Sequence, residues 1–99
     1  DGIWASFSVQ HLEVHEQNKL FGKIPNILKE GGIFYLGIHE GNLSYRDQLG
    51  RLYVPRTETD LRAICHSHNL VIFEFFREKS SSFDGHPIDV MHMFSRLKP

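Results

Sequence analysis

Leu70-Val71-Ile72-Phe73-Glu74-Phe75-Phe76-Arg77 and, after a break, Ile88-Asp89-Val90-Met91-His92-Met93-Phe94-Ser95-Arg96-Leu97 close the chain. The first run is rich in Val, Ile and Phe and reads as a strand. The second alternates, with Ile88, Val90, His92 and Phe94 on one face and Met91, Met93 and Leu97 on the other, which is strand periodicity. Residues 79–87 between them hold three consecutive serines, Asp84-Gly85 and Pro87, the composition of a loop. Parallel neighbours need a long crossover, and no helix separates these runs, so the pair is expected to be antiparallel.

Working back from this ending, Thr57 followed by Asp60 is a near match to a helix capping box, with Asp in place of Glu or Gln. Leu61, Ile64, Cys65 and His68 follow at helical spacing, and Asn69 suits the left-handed residue that closes a helix. Residues 41–55 are polar, hold two glycines and lack a clean period, so they read as a long loop, a kind that is usually functional or mobile. Residues 33–40 are nearly continuously apolar, as in a strand covered on both faces.

Further back, Gly31-Gly32 is expected to end a helix that begins after Glu13. Its stripe is Leu20, Phe21, Ile24, Ile27 and Leu28, with Glu16, Gln17, Asn18, Lys19 and Lys23 mostly off it. Gly22 and Pro25 interrupt that stripe. An interior proline costs about 3 kcal/mol, which predicts a kink near Pro25 or two helical pieces. Residues 3–8 form a first apolar strand. Strands alternating with helices imply an α/β fold whose first three strands are parallel. Phe73, Phe75, Phe76 and Phe94, with Tyr35, are expected to fill the layer between sheet and helices.

Ninety-nine residues make one domain, and 40% hydrophobic with 23% charged residues is ordinary globular composition. The net charge of −1 gives no reason to expect nucleic acid or an anionic membrane as partner. Cys65 is the only cysteine, which excludes an internal disulfide and points to a reducing cytoplasm. No apolar run approaches the roughly 18 residues of a membrane span. The opening Asp1-Gly2-Ile3-Trp4-Ala5 lacks an initiator Met and reads as a strand already under way, as at the edge of a fragment.

Several strings together resemble one family. Asp1-Gly2-Ile3-Trp4-Ala5, with Ser8 and His11-Leu12, is similar to the fourth strand and following turn of class I (Rossmann-like) S-adenosylmethionine-dependent methyltransferases. Leu28-Lys29-Glu30-Gly31-Gly32-Ile33-Phe34-Tyr35-Leu36 resembles that family's step into its fifth strand, with Glu30 where Pro is common. Gly50-Arg51-Leu52-Tyr53 and Thr57-Glu58-Thr59-Asp60-Leu61 resemble the lead into its last helix, and Asn69-Leu70-Val71 stands where Gly-Phe is frequent. The resemblance runs the length of the chain and implies the C-terminal half of such a domain, over residues 1–99. Its fold would have about four strands, the last one antiparallel and inserted between its two predecessors, with two main helices on one face.

The resemblance also implies S-adenosylmethionine as cofactor and a small molecule as methyl acceptor. The family's glycine-rich loop and ribose-binding acid are absent, and Gly31-Gly32 and Gly41-Asn42 do not replace them, so weak or no cofactor binding is expected of these residues alone. The family's turn after its fourth strand lines the methionine end of the cofactor, which assigns Ser6, Phe7, Ser8 and His11 to that wall. Ser6 and Ser8 also read as plain turn residues, and His11 as either a base or a solvent-facing side chain. Arg51 and Tyr53 fall where substrate contacts occur in similar enzymes; a surface Arg and a packed Tyr are the alternative.

No catalytic residue is assigned. His11 and His15, four apart, and Cys65-His66-Ser67-His68 invite a metal, but neither HExxH nor CxxC occurs and none is expected. With both helices on one face, the opposite face and the first strand's edge would be open. A chain of this kind is expected to form a homodimer through those surfaces or to be poorly stable. A non-catalytic binding or dimerisation module derived from the same fold is the alternative function.

Overall fold

The computed structural model describes residues 2–81 and 85–99. In chain order they form β1 (Gly2–Ser6), a 3-10 turn (Val9–His11), α1 (Val14–Ile27), β2 (Ile33–His39), β3 (Tyr45–Arg46), β4 (Leu52–Tyr53), α2 (Glu58–Ser67), β5 (Leu70–Ser81) and β6 (Pro87–Leu97). The main sheet has the order β1-β2-β6-β5. β1 and β2 are parallel, and β6 runs antiparallel to both β2 and β5. This is the expected arrangement, a partial Rossmann-like methyltransferase fold with the last strand inserted between its predecessors.

The core lies on one face of the sheet. Ala5, Phe34, Leu36, Ile38, Met91, Met93 and Leu70 pack there against Phe21, Ile24 and Leu28 of and just after α1, and against Leu61 and Cys65 of α2. Both helices therefore cover the same face. α2 starts as its capping pattern predicts, with Thr57 Oγ1 accepting from the Asp60 N–H at 3.1 Å. It closes just before Asn69, whose φ of +59° is the expected left-handed turn.

α1 departs from expectation in three ways. It is one uninterrupted helix with Pro25 inside its last turn. Only the bond that a residue-25 N–H would make to the Phe21 carbonyl is forfeited, and the Leu28 N–H still reaches the Ile24 carbonyl at 2.9 Å. It ends at Ile27, so Gly31, at φ +79°, serves the turn into β2 and not the helix cap. Its buried stripe is Gln17, Phe21, Ile24 and then Leu28, while Ile27 is exposed. Gln17, a polar residue read as off the stripe, heads it instead.

The C-terminal hairpin is longer than its sequence suggested. β5 continues to Ser81, paired with Pro87 at the start of β6, which shortens the expected loop over 79–87; Ser82 and Asp84 of that loop lie outside the described residues. A bulge at Phe73, between Ile72 paired with Ser95 and Glu74 paired with Phe94, inserts one residue and switches the faces of β5. Leu70, Ile72 and Phe75 thus approach the core, whereas Phe73 and Phe76 meet Phe94 and His92 on the helix-free face.

The bulge on β5 and the regular register of β2 with β6 together correct the aromatic expectation. Tyr35, Phe73, Phe76 and Phe94 do not fill the layer between sheet and helices; of that set only Phe75 does. With Trp4, stacked on Tyr35 at 4.3 Å, the others form an aromatic surface on the opposite face. Trp4 is 68% exposed and Phe76 44%.

Two measurements check this packing. Ile38→Val, at a fully buried core position, is expected to cost about 0.5–1.5 kcal/mol in urea unfolding. Cys65 lies against Met93 (Sγ to Sδ 3.7 Å), and burial pushes its thiol up to about 12, so iodoacetamide should label it only as fast as the chain opens.

Candidate functional site at the strand ends

The carboxyl ends of β1 and β2 are neighbours, and open α/β sheets bind ligands at such ends. After Ser6 the chain reverses through Phe7, which holds a left-handed φ of +58°. That conformation costs a residue with a Cβ roughly 1–2 kcal/mol. Two contacts hold it: the Phe7 N–H donates to the Gly37 carbonyl at 2.8 Å, and the Phe7 ring lies over Gly37. A Cβ at Gly37 would come within 3.1 Å of that ring.

The 3-10 turn then buries Gln10, which ties three segments together. Its side-chain oxygen accepts from the His39 N–H at 2.7 Å, and its carbonyl accepts from the Val54 N–H at 2.6 Å. Buried Gln17 works from the helix side. Its amide donates to the carbonyls of Leu12 and Val54, and its oxygen accepts from Arg56 Nη1 at 2.9 Å. Residues 52–56 are thereby fixed against the ends of β1 and β2.

The expected long loop contains a small hairpin, β3 paired with β4. Its turn is organised by Asp47, which accepts from the N–H groups of Leu49 and Arg51 and forms an ion pair with the Arg51 guanidinium at 2.7 Å. Tyr53 becomes the centre of an aromatic cluster. Tyr45 and His39 stack on it at 4.9 and 5.4 Å, the His11 ring meets its edge at 4.7 Å, and Arg51 lies 5.8 Å from its centroid.

His11 Nδ1 lies 2.7 Å from the Leu52 carbonyl, which can only accept, so Nδ1 carries the proton and Nε2 is the basic nitrogen of the neutral ring. Burial, and secondarily the charge of His11, hold His39 below the ordinary imidazole value.

A second group of polar side chains reaches the same strand ends from the helix-free face. Tyr35 Oη is 2.7 Å from His92 Nδ1, and His92 Nε2 is 2.7 Å from Glu78 Oε1. Ser6 pairs with Gly37 in the sheet, and the Tyr35 hydroxyl projects over Gly37, so the two hydroxyls are neighbours. Burial raises Tyr35, as does the nearby Glu78 carboxylate, while the Ser6 contact partly offsets both.

The six residues singled out from sequence therefore fall in one region. Ser6, Phe7 and Ser8 form the turn after β1; His11 follows and touches Tyr53, over which Arg51 lies. Ser8 starts the 3-10 turn with an exposed side chain that makes no capping bond. Gln10, His39, Tyr45, Tyr35 and His92 were missed. Only the His39 position, at the end of an apolar strand, carried a signal in the sequence. His11 and His15 do not share a helical face, because α1 begins only at Val14. Among the described residues no group of three or more His, Cys, Asp or Glu side chains is placed to hold a metal ion.

No protein-family model and no curated protein matches the chain. Solved structures do. A Methanosarcina mazei S-adenosylmethionine-dependent methyltransferase superposes with a TM-score of 0.84 at 14% identity, over 99% of this chain and 59% of its own. The Burkholderia thailandensis 1,6-didemethyltoxoflavin N1-methyltransferase, solved with 1,6-didemethyltoxoflavin and S-adenosylhomocysteine bound, gives 0.77 at 17% identity, over 100% and 44%. A Clostridium acetobutylicum S-adenosylmethionine-dependent methyltransferase gives 0.72 at 16%, over 100% and 58%. The fold is thus class I methyltransferase-like, and the chain spans about half the length of the structures it matches.

Two perturbations test the strand-end architecture. Gln10→Leu strips the His39 N–H of its acceptor and should cost about 1–3 kcal/mol by denaturant unfolding. Because His39 is held down in the folded state, the unfolded chain binds the extra proton on acidification. Its contribution is therefore intact above about pH 6.5 and is lost as pH falls towards the folded-state value. His39→Gln should flatten that part of a stability-against-pH curve.

Proposed function

We propose that the chain is the C-terminal half of a methyltransferase domain that transfers a methyl group from S-adenosylmethionine to a small molecule, and that it is inactive alone. The observation that carries this reading is the strand order β1-β2-β6-β5, with β6 antiparallel and a polar and aromatic cluster built at the carboxyl ends of β1 and β2. The three structures described above are methyltransferases about twice as long, and one was solved with 1,6-didemethyltoxoflavin bound. No helix among the described residues is long and apolar enough to cross a membrane. A cytoplasmic setting, and partners that include neither nucleic acid nor membrane, belong to the same reading.

The residues present fit one end of such a cofactor. Ser6 and Ser8 offer exposed side chains at the strand ends, and the half-buried Phe7 ring offers a π face of the kind that favours a cation. The adenosine end finds no counterpart: Glu40, after β2, is bound by Arg77 through both oxygens at 2.8 and 2.9 Å, and no glycine-rich strand-to-helix turn occurs. When bound, S-adenosylmethionine supplies an electrophilic methyl group. Ser6, Phe7, Ser8 and His11 line its methionine end, and Arg51 and Tyr53 orient the acceptor, which is where positioning lowers the barrier.

The helix-free aromatic face favours a second reading, a non-catalytic half that dimerises through Trp4, Phe73 and Phe76. Calorimetric titration with S-adenosylhomocysteine separates the two. The enzyme reading expects no saturable binding by the 99-residue chain, and saturable binding with methyl transfer by the natural polypeptide that carries it. A natural polypeptide that binds none, yet sediments as a dimer, supports the second reading and overturns the first.

A further inference from the structure

Tyr35, His92 and Glu78 form a hydrogen-bonded series, with Ser6 beside its Tyr35 end, and the polarity of the series is set by its last member. A carboxylate only accepts, so His92 Nε2, at 2.7 Å from Glu78, carries the proton. In the neutral ring Nδ1 is then the acceptor for the Tyr35 O–H at 2.7 Å, which leaves the Tyr35 oxygen able to accept from the neighbouring Ser6. Every donor in the series points the same way, from the strand end towards Glu78.

The surroundings are shaped to this series. Tyr35 is buried, and its hydroxyl projects over Gly37, where a Cβ would stand 2.5 Å away. His92 pairs with Gly37 on one side and with Phe76 on the other, and its side chain is 13% exposed. The Phe76 ring stacks on it at 4.6 Å and the Phe7 ring meets it at 5.9 Å. Glu78, by contrast, is 60% exposed in its side chain and communicates with water. The titratable groups in contact with His92 are Glu78 from β5 and Tyr35 from β2; Phe7 and Phe76 are its apolar neighbours.

We propose that Ser6, Tyr35, His92 and Glu78 are a proton relay that drains the proton released by an N–H or O–H methyl acceptor from the strand-end site to solvent. This rests on the methyltransferase reading above. As the acceptor's lone pair bonds to the methyl carbon, the pair that held that carbon stays with the donor's sulfur, and the acceptor's proton passes to Ser6 Oγ. Ser6 gives its own proton to Tyr35, Tyr35 gives its proton to His92 Nδ1, and His92 Nε2 gives its proton to Glu78, which releases it to water. One proton leaves per methyl transferred, and every residue recovers its ionisation. His92 is left as the Nδ1–H tautomer, with both hydroxyl hydrogens reversed. The hydroxyls must therefore rotate back, and His92 must return to its Nε2–H form, before the next turnover. The raised Tyr35 agrees with a hydroxyl that stays protonated between turnovers.

The test has two readouts. Long-range 15N NMR of the histidine rings in the 99-residue chain should find His92 as the neutral Nε2–H form, with an Nδ1 resonance displaced by its hydrogen bond. Tyr35→Phe should remove that displacement, and Gly37→Ala, which drives the hydroxyl aside, should reproduce the effect. An Nδ1–H form, or an Nδ1 resonance indifferent to both variants, overturns the relay whatever the enzyme does.

In the natural polypeptide, Tyr35→Phe and Glu78→Gln should lower kcat by about tenfold or more, alter its pH profile and leave KM unchanged. Glu78 is exposed, so its variant keeps the fold. An unchanged kcat and pH profile overturns the relay while the methyltransferase reading stands. The expected NMR signature without any methyl transfer overturns both.

Discussion

The insertion of β6 between β2 and β5 is the constraint on which the rest of the structure depends. An antiparallel strand in that position pairs with two neighbours at once, so its register decides what each face of the sheet presents. Met91 and Met93 meet the helices, and burying each is worth about 1.5–3 kcal/mol. The intervening His92 and Phe94 are sent to the other face, beside Tyr35, Phe73 and Phe76. A slip of one residue would place a histidine in the core and the methionines in water. The bulge at Phe73 belongs to the same constraint, because it lets β5 serve the core near Leu70 and again at Phe75 while its intervening rings pack around β6.

The strand ends depend on β6 less directly. Buried amides hold them: Gln10 joins the turn after β1 to His39 and Val54, and Gln17 joins α1 to Val54 and Arg56. Each satisfies backbone groups that would otherwise be buried without partners, a cost of about 1–3 kcal/mol apiece. Tyr53 is consequently presented to His11, His39 and Tyr45 as a fixed surface, although the segment that carries it has almost no regular structure. This arrangement gives the strand ends a built polar and aromatic surface, in a chain that spans about half the length of the structures it matches.

Much of the fold was legible because local chemistry and tertiary role agree. Thr57 with Asp60, left-handed Asn69 and the alternation from Ile88 to Leu97 each do in the structure what their residue types favour. The disagreements have physical causes. Gln17 looked like a solvated helix face because its burial depends on carbonyls far along the chain. Phe73 and Phe76 looked like core because a bulge, which shifts faces by one residue, leaves no mark in composition. The hairpin over 45–53 was invisible because two-residue strands carry no period, although Asp47 and Gly50 bracket its turn. The site was half legible: Ser6, Phe7, Ser8, His11, Arg51 and Tyr53 came from resemblance and fall together, while Gln10, His39 and the Tyr35–His92 pair needed the register of the sheet.

The position of β6 is best measured by interstrand nuclear Overhauser effects in the labelled chain. The account predicts contacts from the His92 backbone to both Gly37 and Phe76, and from Met93 to both Leu36 and Phe75. Contacts to Phe76 and Phe75 alone would put β6 on the outer edge of β5, and the aromatic face and the strand-end series built on it would fall together.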